Sequence, residues 1–261
     1  MWLEQLAPES FFRTSDMPGP SRGAVRSFLS RAASKEPALV IKVAPNLYWK
    51  PSRASSFTGK VHPPSWSLIG WEMAGPHAAA LGWHGANIVG WSDQIALQYL
   101  EFAVPGEPAQ RHPHPRIIIR SRRNLTRRRL TRLEATYLEA VIGFDRWCEI
   151  DWDRALRLTL ARLEERAEDG EKLPRSEVFE MVAANENPKS GRSLFRSRIA
   201  DLVEVMADSE RAFAQASVPQ PRGEPSTVDC NASRRGMDSS VLLNTIFSAN
   251  SAPSGSGSCL G

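Results

Sequence analysis

The chain has 261 residues, 41% hydrophobic and 24% charged, with a formal net charge of +4. That length holds one large or two ordinary domains with a real core, and no window approaches the roughly 20 apolar residues of a membrane span. The start, MWLEQLAPES, lacks a basic leader and a long apolar run, and the cysteines (Cys148, Cys230, Cys259) fit neither a disulfide framework nor zinc spacing, so a cytoplasmic protein with reduced thiols is expected.

The first unit is expected over residues 1–53. WLEQLAP gives a short helix, and FFRTSDMPG a second, capped by Thr14 or Ser15 and ended by Pro18-Gly19-Pro20. SRGAVRSFLSR follows, with Val25, Phe28, Leu29 and Ala32 at i, i+3, i+4, i+7 and Ser21 at the N-cap. After Pro37 the period changes to two. LVIKV and LYW are β-branched and aromatic runs joined by Ala44-Pro45-Asn46, and Asn tolerates the left-handed conformation of a tight turn. A helix with a basic outer face followed by a β-hairpin reads as the recognition helix and wing of a winged helix-turn-helix.

PSRASSFTGKVHPPS is a Ser/Pro-rich linker, placed at 54–65. The second unit, 66–214, opens with WSLIGWEMAGPHAAALGW, one packed helix broken near Gly75-Pro76. NIVGWSDQIALQYLEFAVPG ends in a strand over Leu100–Val104, and RIIIRS supplies a partner strand. From Thr131 the apolar spacing is helical, as in Leu156, Leu160 and Leu163, and Thr131 with Glu134 three residues on forms a capping box. Residues 215–261 are Ser/Pro/Gly-rich and expected to be a disordered tail. The expected class is α/β (α+β): a winged helix, a mixed domain with a small sheet, a helical C-terminal lobe and the tail.

Charge is unevenly spread. Residues 1–60 carry nine Lys/Arg against four Asp/Glu, 61–110 carry no Lys or Arg, 111–132 carry nine Arg and no acid, and 133–210 carry eleven bases against eighteen acids. A basic head and a basic belt point to a polyanion at one end. On the recognition helix Ser21, Arg22, Arg26 and Arg31 face the major groove, where Arg forks onto guanine, while Lys42, Asn46 and Lys50 on the wing meet phosphate or the minor groove. The belt RSRRNLTRRRLTR, with Arg122, Arg123, Arg127, Arg128 and Arg129, either extends the phosphate footprint or pairs with the acidic helices behind it. Arg192 and Arg196, four apart on one helix face, either touch a partner or bridge to nearby acids.

Catalytic signals are weak. His112-Pro113-His114 reads as a Pro-rich turn with no further metal ligands, and Asp151 and Asp153 sit where a helix starts and serve its cap and dipole. Neither a phosphate-cradling GxxxxGK[ST], nor GxSxG, nor the Glu-x-Lys of a restriction-like nuclease occurs. No enzyme, no cofactor and no metal are expected.

Three stretches in order carry a resemblance: SRGAVRSFLSR with NLYWKP, AGPHAAALGW with WSDQIALQYLEFAVPG, and RSRRNLTRRRLTRLEATYLEA with DWDRAL, together spanning about residues 8–205. The chain resembles the AbiE-type antitoxins, the transcriptional-regulator half of type IV toxin–antitoxin operons, in their actinobacterial form. That resemblance implies double-stranded operator DNA upstream of its own operon as one partner, bound by the winged helix to repress it. It implies a cognate nucleotidyltransferase-like toxin, countered directly or indirectly, as the other. The alternative is a toxin- or RNA-binding interaction protein whose winged helix is only structural.

Overall fold

The computed structural model describes residues 2–35, 37–52, 61–96, 98–188 and 191–216, so most of the expected linker and nearly all of the expected tail lie outside the described residues. The chain is a mixed α/β protein, and the described residues fall within one compact unit.

The N-terminal part runs α1 (Trp2–Gln5), β1 (Ser10–Arg13), α2 (Arg22–Ala33), β2 (Ile41–Ala44) and β3 (Leu47–Lys50). Helix α2 forms where its spacing places it: Val25, Leu29 and Ala32 are buried, and Ser21 Oγ accepts the Ala24 N–H at 3.2 Å. β2 and β3 make the expected antiparallel hairpin, with a register shift between Lys42 and Ala44. Asn46 takes φ 60° in its turn.

The helix expected over FFRTSDMPG is not formed. Ser10–Arg13 is a strand that pairs antiparallel with β3, Phe11 opposite Trp49 and Phe12 opposite Tyr48. The rings meet at 4.6 Å and 5.7 Å, a cross-strand aromatic match that a helix forgoes. Thr14–Met17 is a turn, closed by the Asp16 carboxylate accepting the Arg13 N–H at 2.7 Å. The expected helix-turn-helix is therefore not formed, because the segment ahead of the turn is taken into the sheet; one helix, α2, lies on a three-stranded sheet of order β1-β3-β2.

Both faces of that sheet are covered. Phe12, Val40 and Tyr48 pack with Leu3, Val25 and Leu29 of the helices. Phe11 and Val43 lie against a second cluster of Ile69, Phe102, Val104, Ile117 and Ile119. This explains why Leu47, Tyr48 and Trp49 are buried in succession rather than alternately.

The second cluster belongs to α3 (Trp66–Ala74) and a sheet of β4 (Ala79–Ala80), β5 (Leu100–Pro105) and β6 (Ile117–Arg122), with α4 (Gly82–Ile88) following β4. Only the first half of the expected broken helix, α3, and the short α4 are helical. Ala79 and Ala80 between them pair with β5, because small side chains let the strand sit fully buried in the core. Glycine serves the same closeness at Gly70, where a Cβ would run into the Phe102 ring. β5 and β6 run parallel, joined by a non-helical loop whose Arg111 carbonyl accepts the Ile119 N–H at 2.8 Å.

The C-terminal lobe is helical: a 3-10 turn (Leu125–Arg129), α5 (Arg132–Ile142), α6 (Phe144–Trp147), α7 (Trp152–Glu168), α8 (Ser176–Ala184) and α9 (Arg192–Ala216). The Thr131–Glu134 capping box is present at the start of α5, and Asp151 caps α7 by accepting the Arg154 N–H at 2.7 Å. These helices enclose the largest core, centred on Trp91, Tyr137, Phe179 and Leu202. No helix among the described residues is long and apolar enough to cross a membrane.

Candidate nucleic-acid interface

Strand direction decides where the basic residues of the N-terminal part meet. β1 ends at the hairpin turn, since Arg13 pairs with Leu47 and the Thr14 N–H donates to the Asn46 carbonyl at 3.1 Å. Residues 14–21 then lead into α2, which finishes at the other end of the hairpin, where the Leu39 N–H donates to the Ala32 carbonyl at 3.1 Å. The first turns of α2 and the Pro45-Asn46 turn therefore share one end of the unit.

Arg22 and Arg26 are exposed and stand one turn apart on α2, flanking the buried stripe, with Gly23, Ser27 and Ser30 on the side opposite it. Neither they nor the exposed Lys42 make an ion pair or hydrogen bond among the described residues. Ser21 is engaged as the N-cap. Arg31 is exposed and its Nε donates to the Ser27 carbonyl at 3.4 Å. Asn46 is exposed, its Oδ1 accepting from Thr14 Oγ1 at 3.3 Å. Lys50 is drawn out of the expected set: its Nζ donates to the carbonyls of Glu4 (3.4 Å) and Leu6 at the end of α1. A short helix ends with orphan carbonyls, and this amine satisfies two of them.

The belt divides in two. Arg127 is 2% exposed, with Nη1 on the Glu139 carboxylate and Nε on Glu186 at 2.6 Å. Arg122 grips the same Glu139 with two bonds of 2.6 and 2.8 Å, and Asn124 Nδ2 donates to Glu186 at 2.7 Å. Burial pushes the Glu139 carboxyl up, but the Arg127 charge and the Arg122 bonds outweigh it and hold it below its ordinary value. Arg122 and Arg127 are thus fastened into the fold, joining β6, the 3-10 turn, α5 and the end of α8, and are not a free phosphate surface. Charge-assisted forks of this kind form when carboxylates stand across a strand or helix from guanidinium groups. Arg123 and Arg128 are exposed with no carboxylate partner among the described residues, and Arg129 Nη1 rests on Met181 Sδ at 3.2 Å.

Elsewhere the picture is plainer. Arg192 donates to the Asn187 side chain, and Arg196 is exposed; neither has an ion pair among the described residues. His114 stacks on Trp66 at 4.4 Å and its Nδ1 accepts the Arg116 N–H. Burial pushes the Cys148 thiol up to about 12, the reverse of what a nucleophile needs. Among the described residues no cluster of His, Cys, Asp or Glu is placed to hold a metal ion.

Among the clefts that the described residues form, two lie near the basic residues. One, of about 800 Å³, lies over β5, β6 and α6, between Tyr99, Arg120 and Trp147; there Arg120 is forked onto Glu101 at 2.7 and 2.8 Å. The other, of about 540 Å³, runs from the β2–β3 hairpin turn to the β5–β6 loop, with Arg13, Pro45, Glu107 and Arg128 in its walls. Arg13, in turn, is bridged to Glu72 at 3.7 Å. The sequence did not single out Arg13, Glu139 or Glu186; acids 12 to 59 residues from their arginines leave no local pattern.

No family model matches the chain, and no curated protein matches it. Among solved structures it is similar to the RV2827C protein from Mycobacterium tuberculosis, at 14% identity and a TM-score of 0.37, over 82% of this chain and 78% of that one.

Proposed function

We propose that this protein is a DNA-binding repressor of its own operon that works beside a toxin gene in the cytoplasm, without catalysis. The observation that carries the DNA half is the pair Arg22 and Arg26: two exposed guanidinium groups, without an ion pair among the described residues, on the first turns of α2, at the end of the unit that also holds the hairpin turn. A recognition helix reads base edges from its N-terminal residues, and Arg supplies the fork that matches guanine. Among the described residues no carboxylate must first be displaced from these two side chains. Lys42 on β2 adds a phosphate contact from the same sheet.

The toxin half rests on the resemblance to AbiE-type antitoxins. What supports a protein partner in the molecule is the cleft of about 800 Å³, whose rim carries Ile95 at 73% exposure and Tyr99 at 45% beside arginines, the composition of interface anchors.

A gel-shift titration against the DNA upstream of the gene, with scrambled competitor and at two salt concentrations, tests the DNA half. Binding that survives the competitor and is lost in Arg22→Ala/Arg26→Ala supports repression through α2. Binding that scrambled DNA removes equally reduces the basic head to a non-specific polyanion surface.

A further inference from the structure

The groove beside the wing joins two basic regions that lie far apart in the chain. One wall is the N-terminal sheet, through Arg13 and Pro45; the opposite wall is the β5–β6 loop and the 3-10 turn, through Glu107, Pro108 and Arg128. The groove thus starts at the end of the unit where α2 begins and finishes at the part of the belt left over once Arg122 and Arg127 are bound into the fold.

We propose that the duplex DNA backbone that leaves the α2 contact crosses this groove and is held on its far wall by Arg128, so that the footprint extends beyond what the helix and wing cover. This rests on the reading of α2 as a DNA-binding helix.

Charge accounting favours that course. Of the ionic groups on the groove, Arg13 is bridged to Glu72 at 3.7 Å, and Glu107 is bridged to Arg111 at 3.2 Å. Those four cancel in pairs. Arg128 is left as a full positive charge, exposed and with no carboxylate among the described residues. It contrasts with Arg127 beside it, whose charge is spent on Glu139 and Glu186. An anion that enters the groove therefore meets one net positive charge on the belt side, and it need not break an ion pair to use it.

Shape agrees with charge. Pro45, Pro76, Pro105, Pro108 and Pro113 line the groove. Proline removes the backbone N–H donor and stiffens its segment, so these five positions are stiff and present no backbone N–H to a base. At the loop's entry Gly106 adopts φ +87°, and a Cβ there would lie 3.7 Å from Arg128 Nη2, so the backbone passes close to the guanidinium without crowding it. A rigid wall with one fixed cation is suited to a phosphate, which fixes orientation and carries no sequence information. Arg123, exposed and without an ion pair among the described residues, stands ahead of the same 3-10 turn, lies outside the groove lining and serves as the comparison.

The experiment uses the full chain and a duplex carrying the upstream DNA, titrated by fluorescence anisotropy across a salt series, with wild type, Arg128→Ala, Arg128→Glu, Arg123→Ala and Arg22→Ala/Arg26→Ala. One phosphate contact contributes about 0.9 to the slope of log K against log salt. Arg128→Ala should lower the slope by about one unit, so that its affinity falls about fourfold less than wild type between 50 and 200 mM salt. Arg128→Glu should weaken binding further, and both should act alike on upstream and scrambled duplexes. Hydroxyl-radical footprinting should show the same loss as deprotected sugars at one edge of the site. Wild-type slope and footprint in both Arg128 variants, with binding still dependent on Arg22 and Arg26, would overturn the groove contact and leave the α2 reading standing. The same holds if Arg123→Ala matches Arg128→Ala, since the effect is then general charge. Failure of wild type to bind any duplex overturns the reading of α2 and this inference with it.

Discussion

Arg127→Met is the sharpest test of how the belt is divided. Methionine keeps most of the apolar stem and removes only the charged fork, so the variant reads the ion network rather than packing. In the folded protein Arg127 faces Glu139, whose side chain is 3% exposed, and Glu186 at 11%. Taking away one partner of a buried pair leaves the other charge uncompensated, at about 3–5 kcal/mol. Arg122 keeps its two bonds to Glu139, and Asn124 keeps its bond to Glu186, so the lower figure, about 3 kcal/mol, is expected. The exposed neighbours Arg123 and Arg128, changed to Ala, should stay within about 0.5 kcal/mol of wild type. Urea denaturation followed by circular dichroism at pH 7 measures all three, and an unchanged slope with denaturant shows that stability itself moved. Adding Glu139→Gln and Glu186→Gln to Arg127→Met should recover part of the loss, because the stranded charges go with their partner. Below pH 4.5 the gap between Arg127→Met and wild type should narrow. The Glu139 carboxyl is held below its ordinary value in the fold, so its stabilisation is present above that value and lost as pH falls through the folded one. A cost under about 1 kcal/mol, equal to that of Arg128→Ala, would refute the reasoning, since the buried network would then hold no more than an exposed charge.

Three further outcomes are expected. Arg22→Ala/Arg26→Ala should leave the melting temperature unchanged while costing about 1–3 kcal/mol of binding for each arginine–guanine fork removed, measured as the ratio of upstream to scrambled affinity. Asn46→Val should lower stability by about 1–3 kcal/mol, because a β-branched residue is forced to φ 60°, whereas Asn46→Gly should lose only the Thr14 hydrogen bond; urea midpoints separate the two. His84, buried and with no partner for its Nδ1 among the described residues, is pushed down to about 4 by burial. The unfolded imidazole takes up its proton near 6.5 and the folded one does not, so stability falls as pH drops from about 6.5 to 4, by up to about 3 kcal/mol. In His84→Gln that part of the pH profile should flatten; identical profiles in variant and wild type would remove His84 as its cause.

Local rules were enough for the elements whose forces are local. The stripe Val25, Leu29 and Ala32, the Ser21 cap, the Asn46 turn, the Thr131–Glu134 box and the Asp151 cap all act within one or two turns of chain, and each stands where the sequence places it. Strand β1 was not legible in this way. SFFR becomes a strand because Trp49 and Tyr48, more than thirty residues on, offer an edge and two rings, and that partner outweighs the turn-like TSDMPG behind it. The short β4, set between α3 and α4 in the chain, likewise depends on β5. Nor could composition say which arginines of the belt are free. Charge runs count residues, but a guanidinium's role is set by the carboxylate it meets, and Glu139 and Glu186 reach Arg127 from 12 and 59 residues away. The sequence by itself determined α2 and the helices that follow Thr131, the Ser21, Thr131 and Asp151 caps, the hairpin and the excess of positive charge. Only the tertiary structure decided which of those charges are buried in pairs and which are left to meet a partner, because burial and pairing arise when distant segments pack together.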